Sequence, residues 1–119
     1  LEVPLWSHTL KLAGRVDCVA EFDGELSIID FKGSTRRKSP SNITNYFCQA
    51  TAYSIMWHEM MGEEINQIVI LISSEDGANQ VFVKKPIYYV RELKRSIDLY
   101  ENDMLRKKNL SSSPNLFLE

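Results

Sequence analysis

Asp23-Gly24 falls between two stretches in which apolar and polar residues alternate, and a chain built that way turns back on itself there. Glycine accepts a positive φ and aspartate hydrogen-bonds its own backbone, so the pair favours a tight hairpin turn. The strand before the turn is expected from about Leu10 through Gly14 to about Phe22, and the strand after it from Leu26 to about Gly33. Upstream, Val3 and Leu5 mark a first short strand that turns at Ser7-His8-Thr9. Side chains of a strand alternate between its faces, so Asp30 and Lys32 share one face with Ile29 and Phe31 on the other. Counting outward from the turn brings Asp17 near Asp30, within a residue of register.

Beyond the hairpin, Gly33 to Asn42 is polar, basic and interrupted by Pro40, as a loop would be, and Ser41 or Asn42 is placed to cap a following helix. Ile43, Phe47, Ala50, Ser54 and Trp57 recur at three and four up to Met61, which predicts that helix, and Gly62 stops it. Ile65 to Ile72 is an apolar run of strand length, expected to be buried on both faces. Asp76-Gly77 turns the chain into an outer strand through Val81 and Val83, which Pro86 ends. Tyr88 to Lys107 carries the stripe Val90, Leu93, Ile97, Tyr100, Met104 and Leu105 of a long helix. The order is three strands, helix, two strands, helix. It predicts an α/β (α+β) class with a mixed central sheet of about five strands under helical cover. A dinucleotide fold fits poorly, because tight turns join the first strands and no glycine fingerprint follows one.

A chain of 119 residues, 44% hydrophobic and 25% charged, has the size and composition of one soluble domain. Residues 1–109 are expected to form a single core and 110–119 a loose tail. No apolar run reaches the roughly 18 residues of a membrane span. Cys18 and Cys48 lack the dense spacing of a secreted disulfide framework and read as buried thiols of an intracellular protein. The chain opens at Leu1 without an initiating methionine, as an excised or processed piece would, which leaves room for an additional N-terminal segment or a helicase partner. The net charge of −2 hides an uneven distribution. Arg15, Lys32, Arg36, Arg37 and Lys38 crowd around the carboxylates and form a basic rim able to guide a phosphate backbone.

Two aspartates held together repel and raise one pKa unless a cation intervenes. A hard divalent ion such as magnesium resolves that conflict while keeping several waters, and a backbone carbonyl such as that of Phe31 can complete its ligands. Lys32, beside Asp30, can orient or deprotonate a water or offset charge on a phosphoryl group. For these three residues alone, a surface ion pair across a hairpin is the simpler reading. Gln49 and Tyr53 add to the case, because they are four apart and share a helix face. The amide can engage Lys32 or a metal-bound water, and the phenol can reach a phosphate or steady the lysine. Tyr46 lies one turn earlier near the same side.

Gly14-Arg15-Val16-Asp17, Asp30-Phe31-Lys32 followed by Gly33-Ser34-Thr35, and Gln49-Ala50-Thr51-Ala52-Tyr53 resemble, in order, the Gly-x-x-Asp, Asp-x-Lys and Gln-x-x-x-Tyr motifs of the PD-(D/E)XK nuclease superfamily. The set is similar to its RecB-like branch, and within that to mitochondrial genome-maintenance exonucleases and related phage and bacterial exonucleases. The resemblance covers residues 14 to 53 and implies a restriction-endonuclease-like core. It implies a Mg2+- or Mn2+-dependent deoxyribonuclease, an exonuclease acting on single-stranded DNA or free ends. Asp17 and Asp30 would bind metal, with the Phe31 carbonyl. Lys32 would act on the water, and Gln49 and Tyr53 would support the site. Arg15, Ser34, Thr35, Arg36, Arg37, Lys38, Tyr46 and Tyr53 would meet the nucleic acid, with Tyr46, Tyr53 and Trp57 as stacking candidates. Many RecB-like enzymes add a His or Glu on a helix before the first strand; Glu2 and His8 are the only replacements in sight. The implied setting is a bacterial cytoplasm or nucleoid, a phage-infected cell or a mitochondrion. A non-catalytic module of a helicase-nuclease assembly and a dimeric resolvase-like endonuclease are the alternatives.

Overall fold

The computed structural model describes residues 3–8 and 12–112, with side chains as far as residue 108. Strands β1 (Val3–Ser7) and β2 (Leu12–Val16) form an antiparallel hairpin of their own. Strands β3 (Cys18–Phe22), β4 (Glu25–Ser34), β5 (Gln67–Ser74) and β6 (Asn79–Lys84) form a mixed sheet in that spatial order. The β3–β4 and β5–β6 pairs are antiparallel, whereas β4 and β5 run parallel. Parallel neighbours need a crossover, and helix α1 (Thr44–Met61) supplies it. Helix α2 (Val90–Ser112) follows the sheet.

The Asp23-Gly24 turn forms as expected, with φ of 51° and 81° at its two central residues and Phe22 paired with Glu25 across it. The strand leading into it does not run unbroken. At Asp17 the chain bends out of strand geometry and changes partners, pairing with β1 before the bend and with β4 after it. The expected sheet of about five strands is therefore a sheet of four plus a separate hairpin. The cause lies at the bend itself, where the Asp17 carboxylate accepts the Phe31 amide and ties the junction to β4.

Helix α1 starts differently from its sequence expectation. Ser41 and Asn42 lie in a 3-10 turn (Pro40–Asn42), and Ile43 occupies the N-cap position without a side-chain capping bond. Ile43 is 1% exposed, so burial of an apolar anchor, rather than a polar cap, sets where the helix begins. At the other end Gly62 adopts φ 73° and donates its amide to the His58 carbonyl, the left-handed stop its position suggested.

The core lies where α1 covers the sheet. Ile28 of β4 and Ile68, Ile70 and Ile72 of β5 meet Phe47, Ala50 and Met56 of the helix, while Leu5 and Val16 seal the hairpin side. Because α1 touches the hairpin, the sheet and α2, it is buried on more sides than its apolar stripe required. Thr51 and Ser54 tolerate this by donating their hydroxyls to the Phe47 and Thr51 carbonyls. The α2 stripe behaves otherwise. Leu93 is buried and Ile97 partly so, but Tyr100, Met104 and Leu105 are exposed, since the helix extends past the elements it rests on. It runs to Ser112, into the segment read as a tail; 113–119, like Glu2 and Thr9, lie outside the described residues. No described helix is long and apolar enough to cross a membrane.

Candidate active site

Asp30 occupies a position that its neighbours would assign to isoleucine. On β4 it alternates with Ile28 on the face that α1 covers, and its partner on β5 is Ile70. Its exposure is 5%, so its carboxyl is taken out of water beside the fully buried Ile28 and Ile70. Asp17, at the bend between β2 and β3, falls opposite it when the Cys18–Ile29 pairing is extended by one residue. The Phe31 amide, 2.9 Å from Asp17 Oδ2, holds that carboxylate against the Asp30–Phe31 peptide.

The two acids shift in opposite directions. Hydrogen bonding with Asp30, then the Phe31 amide, holds Asp17 below the usual carboxylate range. Burial, reinforced by the neighbouring Asp17, pushes Asp30 above it, although Lys32 opposes the rise. The two carboxyls are coupled, and burial of one against the other drives their affinities for a proton apart. Lys32 Nζ lies 2.9 Å from Asp30 Oδ2 as an ion pair, but off the axis a hydrogen bond needs, leaving that buried oxygen with no hydrogen-bond donor.

Helix α1 positions the lysine from the other side. Gln49 Oε1 accepts from Lys32 Nζ at 2.9 Å, and the Tyr46 ring lies under the ammonium at 4.9 Å. Gln49 and Tyr46 are one turn apart, so a single helix face presents both. Tyr53, four residues beyond Gln49, is buried beside the acids. Burial, with Asp30 next, pushes its phenol up, so the hydroxyl remains a donor. Its ring lies against Gly14, where an added Cβ would come within 3.0 Å of Tyr53 Cε1. The glycine three residues before Asp17 is thus a close-approach position that lets β2 and Tyr53 meet.

Five residues expected at the site, Asp17, Asp30, Lys32, Gln49 and Tyr53, are brought together, and Tyr46 joins them with its ring beside the Lys32 ammonium. Ser34 is occupied with structure, donating to the Arg36 carbonyl at 2.6 Å. Thr35, Arg36 and Arg37 are exposed and Lys38 is half-buried beyond the end of β4, while Arg15 projects from β2, a strand of the other sheet. Trp57 is partly buried against the core, its indole N–H without a partner. His8 lies at the far end of α1, its amide bonded to Glu59 Oε1, about 15 Å along the helix from Gln49. A cleft of about 310 Å3 between α1 and α2, lined by Ile55, Leu93 and Ile97, contains none of these residues.

Among the described residues no third His, Cys, Asp or Glu joins the acidic pair. Two carboxylates, one with an unsatisfied buried oxygen, fit a hard cation that keeps part of its water shell and takes a backbone carbonyl such as that of Phe31. A site built from Asp17 at a strand junction, Asp30 and Lys32 on one central strand, and Gln49 and Tyr53 on the crossover helix defines a class. The chain matches the PD-(D/E)XK nuclease superfamily over residues 1–110 and belongs to that family.

Among solved structures, twelve chains match. One is a crystal structure of a putative exonuclease from Eubacterium rectale, 14% identical, with a TM-score of 0.64 over 93% of this chain and 46% of that one. At that identity the likeness concerns the fold, and the chain spans about half the length of the protein it matches. No curated protein sequence matches the chain.

Proposed function

We propose that the chain is a divalent-metal-dependent deoxyribonuclease of the RecB-like branch, hydrolysing phosphodiester bonds as an exonuclease on single-stranded DNA or free ends. The observation that carries this reading is the Asp17–Asp30 pair with Lys32 Nζ 2.9 Å from Asp30 and 2.9 Å from Gln49. Burying Asp30 beside Ile70, with a second acid and an amine half-buried against it, costs stability, which a structural ion pair has no reason to incur.

Asp17, Asp30 and the Phe31 carbonyl would hold the ion, Mg2+ or Mn2+. When bound, it supplies the Lewis acidity that activates water and offsets charge on phosphoryl oxygens. Lys32, steadied by Gln49 and Tyr46, orients the attacking water beside the acids and places a positive charge where the phosphoryl group gains negative charge. The Tyr53 phenol donates a hydrogen bond, and Arg36, Arg37 and Lys38 hold flanking phosphates without reading sequence.

The test is cleavage of end-labelled linear single strands, linear duplex and circular DNA, with Mg2+, Mn2+ or EDTA, by the unchanged chain and by Lys32→Ala. Linear substrates should be cut only with the ion and circles spared, while Lys32→Ala should lower kcat by about 10²- to 10⁴-fold. Cleavage that persists in EDTA or without Lys32 sinks the mechanism, and an inactive but DNA-binding chain favours a non-catalytic module.

A further inference from the structure

Residues 36, 37 and 38 form a loop whose backbone is fastened at each position while the side chains are left free. The Arg36 carbonyl accepts from Ser34 Oγ at 2.6 Å and from Ser74 Oγ at 3.2 Å. The Arg37 amide donates to Asp76 Oδ2 at 3.3 Å. Lys38 is held at both ends by one side chain, for its amide donates to Gln80 Oε1 at 2.7 Å and its carbonyl accepts from Gln80 Nε2 at 2.6 Å. A primary amide used this way imitates the paired N–H and C=O of a neighbouring strand. Gln80 thereby extends the edge of β6 by one artificial rung, onto a loop 42 residues away in sequence.

The three side chains on this loop are all cationic, and none has an acidic ion-pair partner among the described residues. The loop leaves β4 directly after the stretch that bears Asp30 and Lys32. Consecutive cations on a fixed backbone suit a ligand with regularly repeated negative charge, because the entropy of ordering the loop is spent during folding and not on binding.

We propose that Gln80 is a positioning residue that presets Arg36, Arg37 and Lys38 as a track for the sugar-phosphate backbone of the strand entering the site. The track rests on the nuclease reading for its purpose, but its binding is separable from hydrolysis.

Gln80→Met preserves the length of the side chain and removes both bonds. Binding of a fluorescent single-stranded oligonucleotide is measured in EDTA, so that no cleavage is needed, across a range of salt. The expected result is a roughly tenfold weaker Kd and a salt slope shallower by about one to two, with faster hydrogen exchange at the Lys38 amide. On cleavable DNA, KM should rise with kcat kept. The double change Arg36→Ala with Arg37→Ala, which leaves the clamp intact, should give the same loss of slope without the faster exchange.

Gln80→Met with unchanged Kd and slope overturns the track, even if its melting temperature falls, because a merely structural bond would show only there. So does an unchanged chain that fails to bind the oligonucleotide. Salt-dependent binding by a chain that never cuts leaves the track standing and removes only the hydrolytic reading.

Discussion

Helix α1 meets two carboxylates, and they are treated in opposite ways. Near its C-terminus its own Glu59 is exposed and accepts from the Ser7 hydroxyl and from the His8 amide at 2.8 Å, fastening the β1–β2 hairpin to the helix. Towards its N-terminus the helix faces Asp30, which is buried, has an oxygen with no donor and stands against a second acid. The first carboxylate has donors and water, so its charge is satisfied and its role is complete within the fold. The second is held where burial and a neighbouring acid make its charge unfavourable, with only Lys32 to offset them. Buried polar groups are ordinarily satisfied, and one left short is a sign of a site rather than of packing.

The largest effect should come from removing the unfavourable charge. Asp30→Asn is expected to abolish metal-dependent cleavage and, in EDTA, to raise the melting temperature by a few degrees, the scale on which about 1 kcal/mol acts in a domain of this size. The sign follows from linkage. A raised folded pKa means that the folded chain holds the proton more tightly than the unfolded one, so the contribution of Asp30 is most favourable at acid pH and is lost as pH rises through its folded pKa. Asp17, shifted down, acts in the opposite sense, contributing stability above the usual carboxylate pKa that is lost as pH falls. Asparagine resembles the protonated acid, so the advantage of Asp30→Asn should be small near pH 4 and grow toward neutrality. Thermal melts across that range check it, and a variant that melts lower than the unchanged chain at pH 7 breaks the comparison.

Glu59→Ala should have the reverse profile. Losing a carboxylate that has its donors is expected to cost about 1–2 kcal/mol of stability in a denaturant titration, with kcat per folded molecule unchanged. If instead kcat falls while stability holds, Glu59 belongs with the acidic pair and the contrast fails.

Gly14→Ala lies between the two regions and should have the smallest effect. The added Cβ forces the Tyr53 ring to yield by a few tenths of an ångström, which is expected to cost about 1 kcal/mol and to lower kcat severalfold. The pairing of Gly14→Ala with Tyr53→Phe in a double-mutant cycle would show whether the loss passes through the phenol.

Much of the site was legible because its parts are local. The Asp23-Gly24 turn sets the register that puts Asp17 opposite Asp30, and helical spacing sets Gln49 and Tyr53 on one face. The Gly62 stop and the Asp76-Gly77 turn followed from the same local chemistry, with Gly77 at φ 89°. The failures are of another kind. No pattern in residues 10–22 announces that the strand will change sheets at Asp17, because the bend is made by a bond to Phe31 across the hairpin. The helix begins within a residue of where the pattern from Ile43 put it, but its cap was hidden, because a buried apolar anchor outweighed two good capping residues. Gln80 and Glu59 look like ordinary polar residues in the sequence, and their partners lie 42 and 51 or more residues away.

By itself, then, the sequence determined the Asp23-Gly24 hairpin, the helix that follows it, the two strands and long helix after that, and the residue types gathered at the site, since backbone preference and side-chain periodicity act over a few residues. Only the tertiary structure decided that Asp30 is buried beside Ile28 and Ile70, that burial and Asp17 push its carboxyl above the usual range, that the Tyr46 ring lies under Lys32, and that a glutamine on the last strand holds the basic loop. Those outcomes depend on which surfaces are brought together and how much water is left between them, and burial of that kind is a property of the whole fold.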